Sequence, residues 1–97
     1  MAYLSLTRFA GNPDALLATY KRSEPTMSAV GRDHGLLVHA AARTVAGLLV
    51  VNLWPSPEGS RTASQDPRRL AALRESGLAP EQIEREHHDV DHYVLLA

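Results

Sequence analysis

The sequence predicts an α+β domain of the ferredoxin-like type, with elements in the order β-α-β-β-α-β and an antiparallel sheet of strand order 4-1-3-2. Three observations lead there. A short strand-like segment runs into a capped helix at Asn12-Pro13. Two apolar strands, Leu36–Arg43 and Gly47–Trp54, are joined by a short turn. A second capped helix at Asp66-Pro67 precedes a terminal segment that ends in Tyr-Val-Leu-Leu. Both helices are expected on one face of the sheet.

Taken in order, Ala2–Phe9 alternates loosely and stops at Gly11-Asn12-Pro13, which marks a first strand. Asn12 is a good N-cap because its side-chain oxygen can accept from a free backbone N–H of the first turn. Pro13, at the first helical position, loses no needed hydrogen bond. Asp14 adds negative charge at the positive end of the helix dipole. Leu16, Leu17, Tyr20, Met27 and Val30 form the buried stripe; Pro25 is expected to kink or restart the helix, and Gly31 to Gly35 to close it. The two strands that follow turn at Thr44-Val45-Ala46-Gly47. Ser56-Pro57-Glu58 is a start signal for a short helix. Asp66-Pro67 opens a stronger one, Pro67–Ser76, with Leu70 and Leu73 toward the core and Gly77 as its stop. Pro80–Arg85 adds a helical turn, and His88–Leu96 is the expected fourth strand.

An even-numbered turn sets His39 opposite Asn52 and Leu37 opposite Trp54. Val38, Ala40 and Ala42 then share one face with Leu49, Val51 and Leu53, while His39, Ala41, Val50, Asn52 and Trp54 share the other. The expectation is that the second, mixed face is the one left uncovered by the helices. Trp54, Val50 and Ala41 are too apolar for water, so two copies packed sheet to sheet would cover them, and a homodimer is predicted.

The bulk properties fit one soluble domain spanning residues 1–97. A hydrophobic fraction of 44% and a formal net charge of -1 offer no electrostatic reason for nucleic acid or an anionic membrane as partner. With no cysteine, disulfides, thiolate nucleophiles and cysteine-ligated metals are excluded, and a reducing cytoplasm is the fitting compartment. The N-terminal MAYLSLTRFAGNP does not read as a secretory signal, and Leu48–Leu53, the most apolar run, is far short of the about 20 residues that span a bilayer.

The segment GLLVHAAARTVAGLLVVNLWPSPE, with a His in the second strand and Trp-x-Ser at the end of the third, resembles the dimeric α+β barrel superfamily. That superfamily includes antibiotic-biosynthesis monooxygenases and stress-responsive barrel proteins. His39, Trp54 with Ser56, and His92 stand at the matching places. The resemblance implies a dimer with a small-molecule cleft on each protomer. Some members oxidise aromatic polyketides without metal or flavin, and some degrade haem. The helix SRTASQDPRRLAAL lacks the Trp and His that the haem chemistry needs.

The hexapeptide HHDVDH at residues 87–92 mimics zinc-protease spacing when read as a helix. The β-prone YVLL that follows argues for a strand, where residues four apart lie about 13 Å from each other, too far to share an ion. No intrachain metal site is expected, though one shared between subunits through His87 or His88 stays open. His39, Asn52 and His92 are the better constellation, with Ser5 or Thr7 between them. Histidine can exchange a proton near neutral pH, and asparagine can hold an anionic oxygen. The plainer reading, preferred at this stage, is that these groups bond one another or water. Trp54 and Tyr93 are candidate ring-stacking residues, although a lone Trp is more often core or interface.

Three functions follow. The first is a small dimeric barrel protein that binds a small, aromatic molecule between sheet and helices, with no cofactor or metal demanded by its residues. The second is a cofactor-independent monooxygenase or isomerase for an aromatic or polyketide-like substrate, with His39 or His92 as base and Asn52 as oxyanion partner. The third is a non-catalytic interaction module.

Overall fold

A computed structural model describes residues 1–96. Strand β1 (Tyr3–Ala10) leads to helix α1 (Pro13–Asp33) and to the hairpin of β2 (Val38–Thr44) and β3 (Gly47–Trp54). Helices α2 (Pro57–Ser64) and α3 (Pro67–Ser76) follow, then a 3-10 turn at Pro80–Gln82 and strand β4 (Ile83–Asp89). All three strand pairings are antiparallel. The sheet runs β2-β3-β1-β4, which is the expected 4-1-3-2 order read from the other edge.

The helix ends form where the capping chemistry places them. Asn12 Oδ1 accepts from the Ala15 N–H at 2.9 Å, and Asp66 Oδ1 accepts from the Arg68 N–H at 2.9 Å. Gly77 ends α3 with φ at 71°, a left-handed conformation that suits glycine. Ser56 sits at the N-cap of α2 without a side-chain capping bond. Helix α1 runs on through Pro25. The proline's cost of about 3 kcal/mol is offset by burial of Leu16 and Val30 on either side of it. Gly47 begins β3 where nothing larger fits, because a Cβ there would lie 1.8 Å from the Phe9 carbonyl oxygen.

The hairpin register is the predicted one, with His39 opposite Asn52 and Ala41 opposite Val50. Which face turns inward is the reverse of the expectation. Trp54 is 4% exposed and packs with Val30 and Ala63 beneath the helices. Leu48 and Val50 pack with Leu16 in a second cluster. Tyr3, Phe9 and Trp54 all fall on this helix-facing side, and aromatic rings bury the most apolar area per residue. Alternation decides which residues share a face, but the volume of those rings decides which face goes under the helices. The open face therefore carries Val38, Ala40 and Ala42 of β2, Leu49, Val51 and Leu53 of β3, and Leu4 and Leu6 of β1. Leu70 of α3 is also turned outward, 41% exposed, while Leu73 is half-buried.

The fourth strand lies upstream of its predicted place. It is Ile83–Asp89, pairing Phe9 with Ile83 through Tyr3 with Asp89. Residues 90–96 continue beyond it without regular structure, tied at the start by the Val90 N–H to the Ala2 oxygen at 2.8 Å. The chain leaves α3 at Ser76 and returns along β1 almost at once, so β1's partners are used up at Asp89. IEREHHD has little apolar pattern to announce a strand. Tyr93, Val94, Leu95 and Leu96, which carry that pattern, are exposed.

A polar clasp joins α1 to the α2–α3 junction. His34 Nε2 lies 3.1 Å from Asp66 Oδ2, and its other ring nitrogen lies 3.0 Å from Thr62 Oγ1. Arg68 donates to both Asp66, at 2.8 Å, and Asp33, at 2.9 Å. The Arg68 guanidinium, then His34, then the Arg68 backbone N–H hold the Asp66 carboxyl well below the usual carboxylate range. A depressed folded-state value stabilises the fold above the unfolded value of about 3.9. That stabilisation is lost as the pH falls toward the folded-state value. Asp66→Asn should melt at a lower temperature at pH 7 and show a shallower loss of melting temperature on acidification below about pH 4. Circular-dichroism melts across that range check it, and equal acid slopes in the two proteins would exclude the clasp as an acid-sensitive contact.

Candidate functional site

The sheet's helix-facing side is mostly apolar, which makes its polar side chains conspicuous. His39 from β2 and Asn52 from β3 meet directly across the strands, with Nδ1 and Oδ1 2.5 Å apart. Tyr20, on the buried stripe of α1, brings its hydroxyl to 2.5 Å from His39 Nε2, and the two rings stack at 5.6 Å. An amide oxygen can only accept, so His39 carries its proton on Nδ1 and Nε2 accepts from the tyrosine hydroxyl. Burial, and then the nearby Glu24 carboxylate, push the Tyr20 hydroxyl above its ordinary pKa, so it stays protonated and donating. The result is a hydrogen-bonded chain, Tyr20 to His39 to Asn52, with the imidazole engaged at both ring nitrogens.

This chain borders a cavity of about 120 Å³ between sheet and helices. The cavity touches both buried clusters, with Leu16, Leu48 and Val50 on one side and Val30, Trp54 and Ala63 on the other. Interiors normally close such gaps. A larger cleft of about 740 Å³ adjoins it between the β1–β4 half of the sheet and α2 with α3. Thr7, Asn52, Trp54 and Arg69 line both spaces. Trp54 Nε1–H is buried with no hydrogen-bond partner among the described residues.

Of the predicted site residues, His39, Asn52 and Trp54 gather at this cavity, with Thr7 beside them and Ser5 in the larger cleft. His92 and Tyr93 do not. They lie past the end of β4, exposed, and line neither space. Their assignment followed from a strand reaching Leu96, whereas β4 ends at Asp89. His87 and His88 divide between the two faces as neighbours on a strand must: His87 stacks on Tyr3 at 5.5 Å, and His88 lies 2.6 Å from Glu86. Tyr20 was missed as a site residue because its helical spacing reads as core. The available signal was its hydroxyl, which needs a partner once buried. Arg69 and Arg85, which line the larger cleft, were missed as well.

No family model matches the chain, and no curated relative matches it. Solved structures do. Rv0793 from Mycobacterium tuberculosis is 15% identical with a TM-score of 0.74, over 97% of this chain and 100% of that one. SnoaB from Streptomyces nogalater, a cofactor-independent oxygenase, is 14% identical with a TM-score of 0.67, over 96% and 94%. A dimeric ferredoxin-like protein of unknown function from Thermobifida fusca is 14% identical with a TM-score of 0.67, over 93% and 92%. An antibiotic biosynthesis monooxygenase is among the further matches. At these identities the likeness is one of fold, and the chain has the ferredoxin-like α+β architecture of these proteins.

Proposed function

We propose that this protein is a cytoplasmic homodimer that binds a small, mostly apolar ring compound between its sheet and helices. The observation that carries the reading is the gap in the core. Two small buried clusters stand apart across a cavity whose wall holds the Tyr20–His39–Asn52 hydrogen-bonded chain and the Trp54 ring. Apolar walls with a few convergent polar groups are what small-molecule sites share. Dimerisation is supported by the open sheet face, whose Leu4, Leu6, Val51 and Leu53 form an apolar patch continuous across β1 and β3. The dimeric Thermobifida fusca protein of the same fold points the same way.

A second reading, cofactor-free oxygenation of an aromatic substrate, is favoured by the Tyr20–His39–Asn52 chain and by the likeness to SnoaB. An acidic substrate O–H or C–H that displaces the Tyr20 hydroxyl would give its proton to His39 Nε2. The imidazolium keeps its Nδ1–H on Asn52, and the substrate anion is left to react with dioxygen.

Titration with 2-naphthol should quench the single tryptophan saturably, at one site per chain, and the absence of any saturable change would remove the binding reading. For the oxygenase reading, oxygen uptake with an anthrone should slow roughly 100-fold or more in His39→Gln, with naphthol affinity nearly unchanged. Equal uptake by both proteins would leave His39 no role as base.

A further inference from the structure

The larger cleft holds charge that the proposed ring compound does not explain. Arg69 reaches it from α3 and Arg85 from β4, where Arg85 stands opposite Thr7 on the helix-facing side. Neither guanidinium has a carboxylate partner among the described residues. Arg69's one hydrogen bond is a long contact of 3.5 Å to the Ser64 carbonyl, and Arg85 makes none. The bordering carboxylate, Glu58, is already engaged by Arg61 at 2.5 Å. Elsewhere on the molecule arginines facing a carboxylate take it, as Arg8 does Glu86, Arg43 does Asp14 and Arg68 does Asp33. Burial and the neighbouring Arg85 both depress the Arg69 pKa, which marks two like charges held near each other in a partly dehydrated space.

Trp54 borders the same region. Gly59 of α2 packs against the Cε3–Cζ3 side of the Trp54 ring. Its N–H is buried and unpartnered, and Trp54 lines the larger cleft as well as the smaller cavity. Buried donors without acceptors are rare in native folds, because each forfeits the bond it made in water. The two guanidiniums are both unpaired donors. What they lack in common is an acceptor carrying negative charge.

We propose that the cleft between the β1–β4 half of the sheet and helices α2 and α3 is an oxyanion subsite. In it Arg69 and Arg85 hold a carboxylate or phosphate attached to the ring compound in the adjoining cavity. This rests on the ring-binding reading and adds to it the ligand's charge and orientation. The anion lies toward β4 and α3, and the ring lies toward Tyr20, His39 and Asn52. Guanidinium forks suit either oxyanion.

The test compares naphthalene-2-carboxylate, 2-naphthyl phosphate and the neutral naphthalene-2-carboxamide by calorimetric titration. In the wild type at least one anion should bind roughly tenfold or more tighter than the carboxamide, and whichever anion it is identifies the group. That preference should shrink in Arg85→Gln and vanish in Arg69→Gln/Arg85→Gln, with carboxamide affinity and melting temperature little changed. Arg85→Gln, on an exposed strand position, supplies the answer if the double variant folds poorly. Equal affinity for all three probes, or a preference that survives both variants, overturns the subsite while leaving the ring-binding reading intact. Binding of none of them overturns both.

Discussion

Trp54→Ala should cost the fold about 3–5 kcal/mol, the usual range for truncating a buried tryptophan. A domain of this size has only about 5–15 kcal/mol in all, so the variant will be largely unfolded at modest urea concentrations. The ring is 4% exposed and touches Val30 on α1 and Ala63 on α2, while Tyr3 and Leu36 close around it. Its removal therefore loosens two helices from the sheet at once. Trp54→Phe should retain most of the stability, since a ring still fills the site. Urea denaturation followed by far-ultraviolet circular dichroism measures both variants. A loss below about 1 kcal/mol for the alanine variant would mean the indole is not part of a closed core.

Val51→Asp should separate the proposed dimer into monomers. Val51 lies on the open face, between Leu6 of β1 and Ala40 of β2. In a twofold-symmetric interface one substitution acts twice, and both carboxylates would be buried without partners. The dissociation constant should rise by at least about two orders of magnitude, as read by sedimentation over a concentration series. The monomer should remain folded, because Val51 contributes nothing to the helix-facing core. A wild-type protein that sediments as a monomer at tens of micromolar would exclude the sheet-to-sheet dimer. The two variants are also expected to be independent. The loss caused by Trp54→Ala should be the same in the Val51→Asp background, because the two residues point to opposite faces of β3.

That independence corrects what the residue pattern suggested about Trp54. The strand alternation placed His39, Val50, Asn52 and Trp54 together, and the structure keeps them together. It places them under the helices, not at a dimer seam. Both faces of the hairpin are apolar enough to be buried, and period-two alternation carries no label for inside and outside. The deciding quantity was ring volume summed over β1 and β3, which appears only once Tyr3 and Phe9 are paired with Trp54 and Leu48. The same inversion moved His39 and Asn52 from a seam between subunits to the wall of a cavity within one chain, where Tyr20 reaches them.

The end of the chain misled for a different reason. Apolar, β-prone YVLL looks more like a strand than IEREHHD does, and HHDVDH was drawn into it. Strand formation is set by available partners, and β1 offers its free edge to residues 83–89. His92 and Tyr93 were consequently assigned to a site they do not reach.

Local chemistry in the chain was enough for the capped helices at Asn12 and Asp66, the hairpin register that pairs His39 with Asn52, and the order of elements that leads to a 4-1-3-2 sheet. Each depends on neighbours within a few residues or on one short turn. The inner face of the sheet, the true fourth strand, the Tyr20–His39–Asn52 chain and the unpaired Arg69 and Arg85 depend on residues far apart in the chain. Those were settled only when the whole fold competed for the same buried volume and the same strand edge.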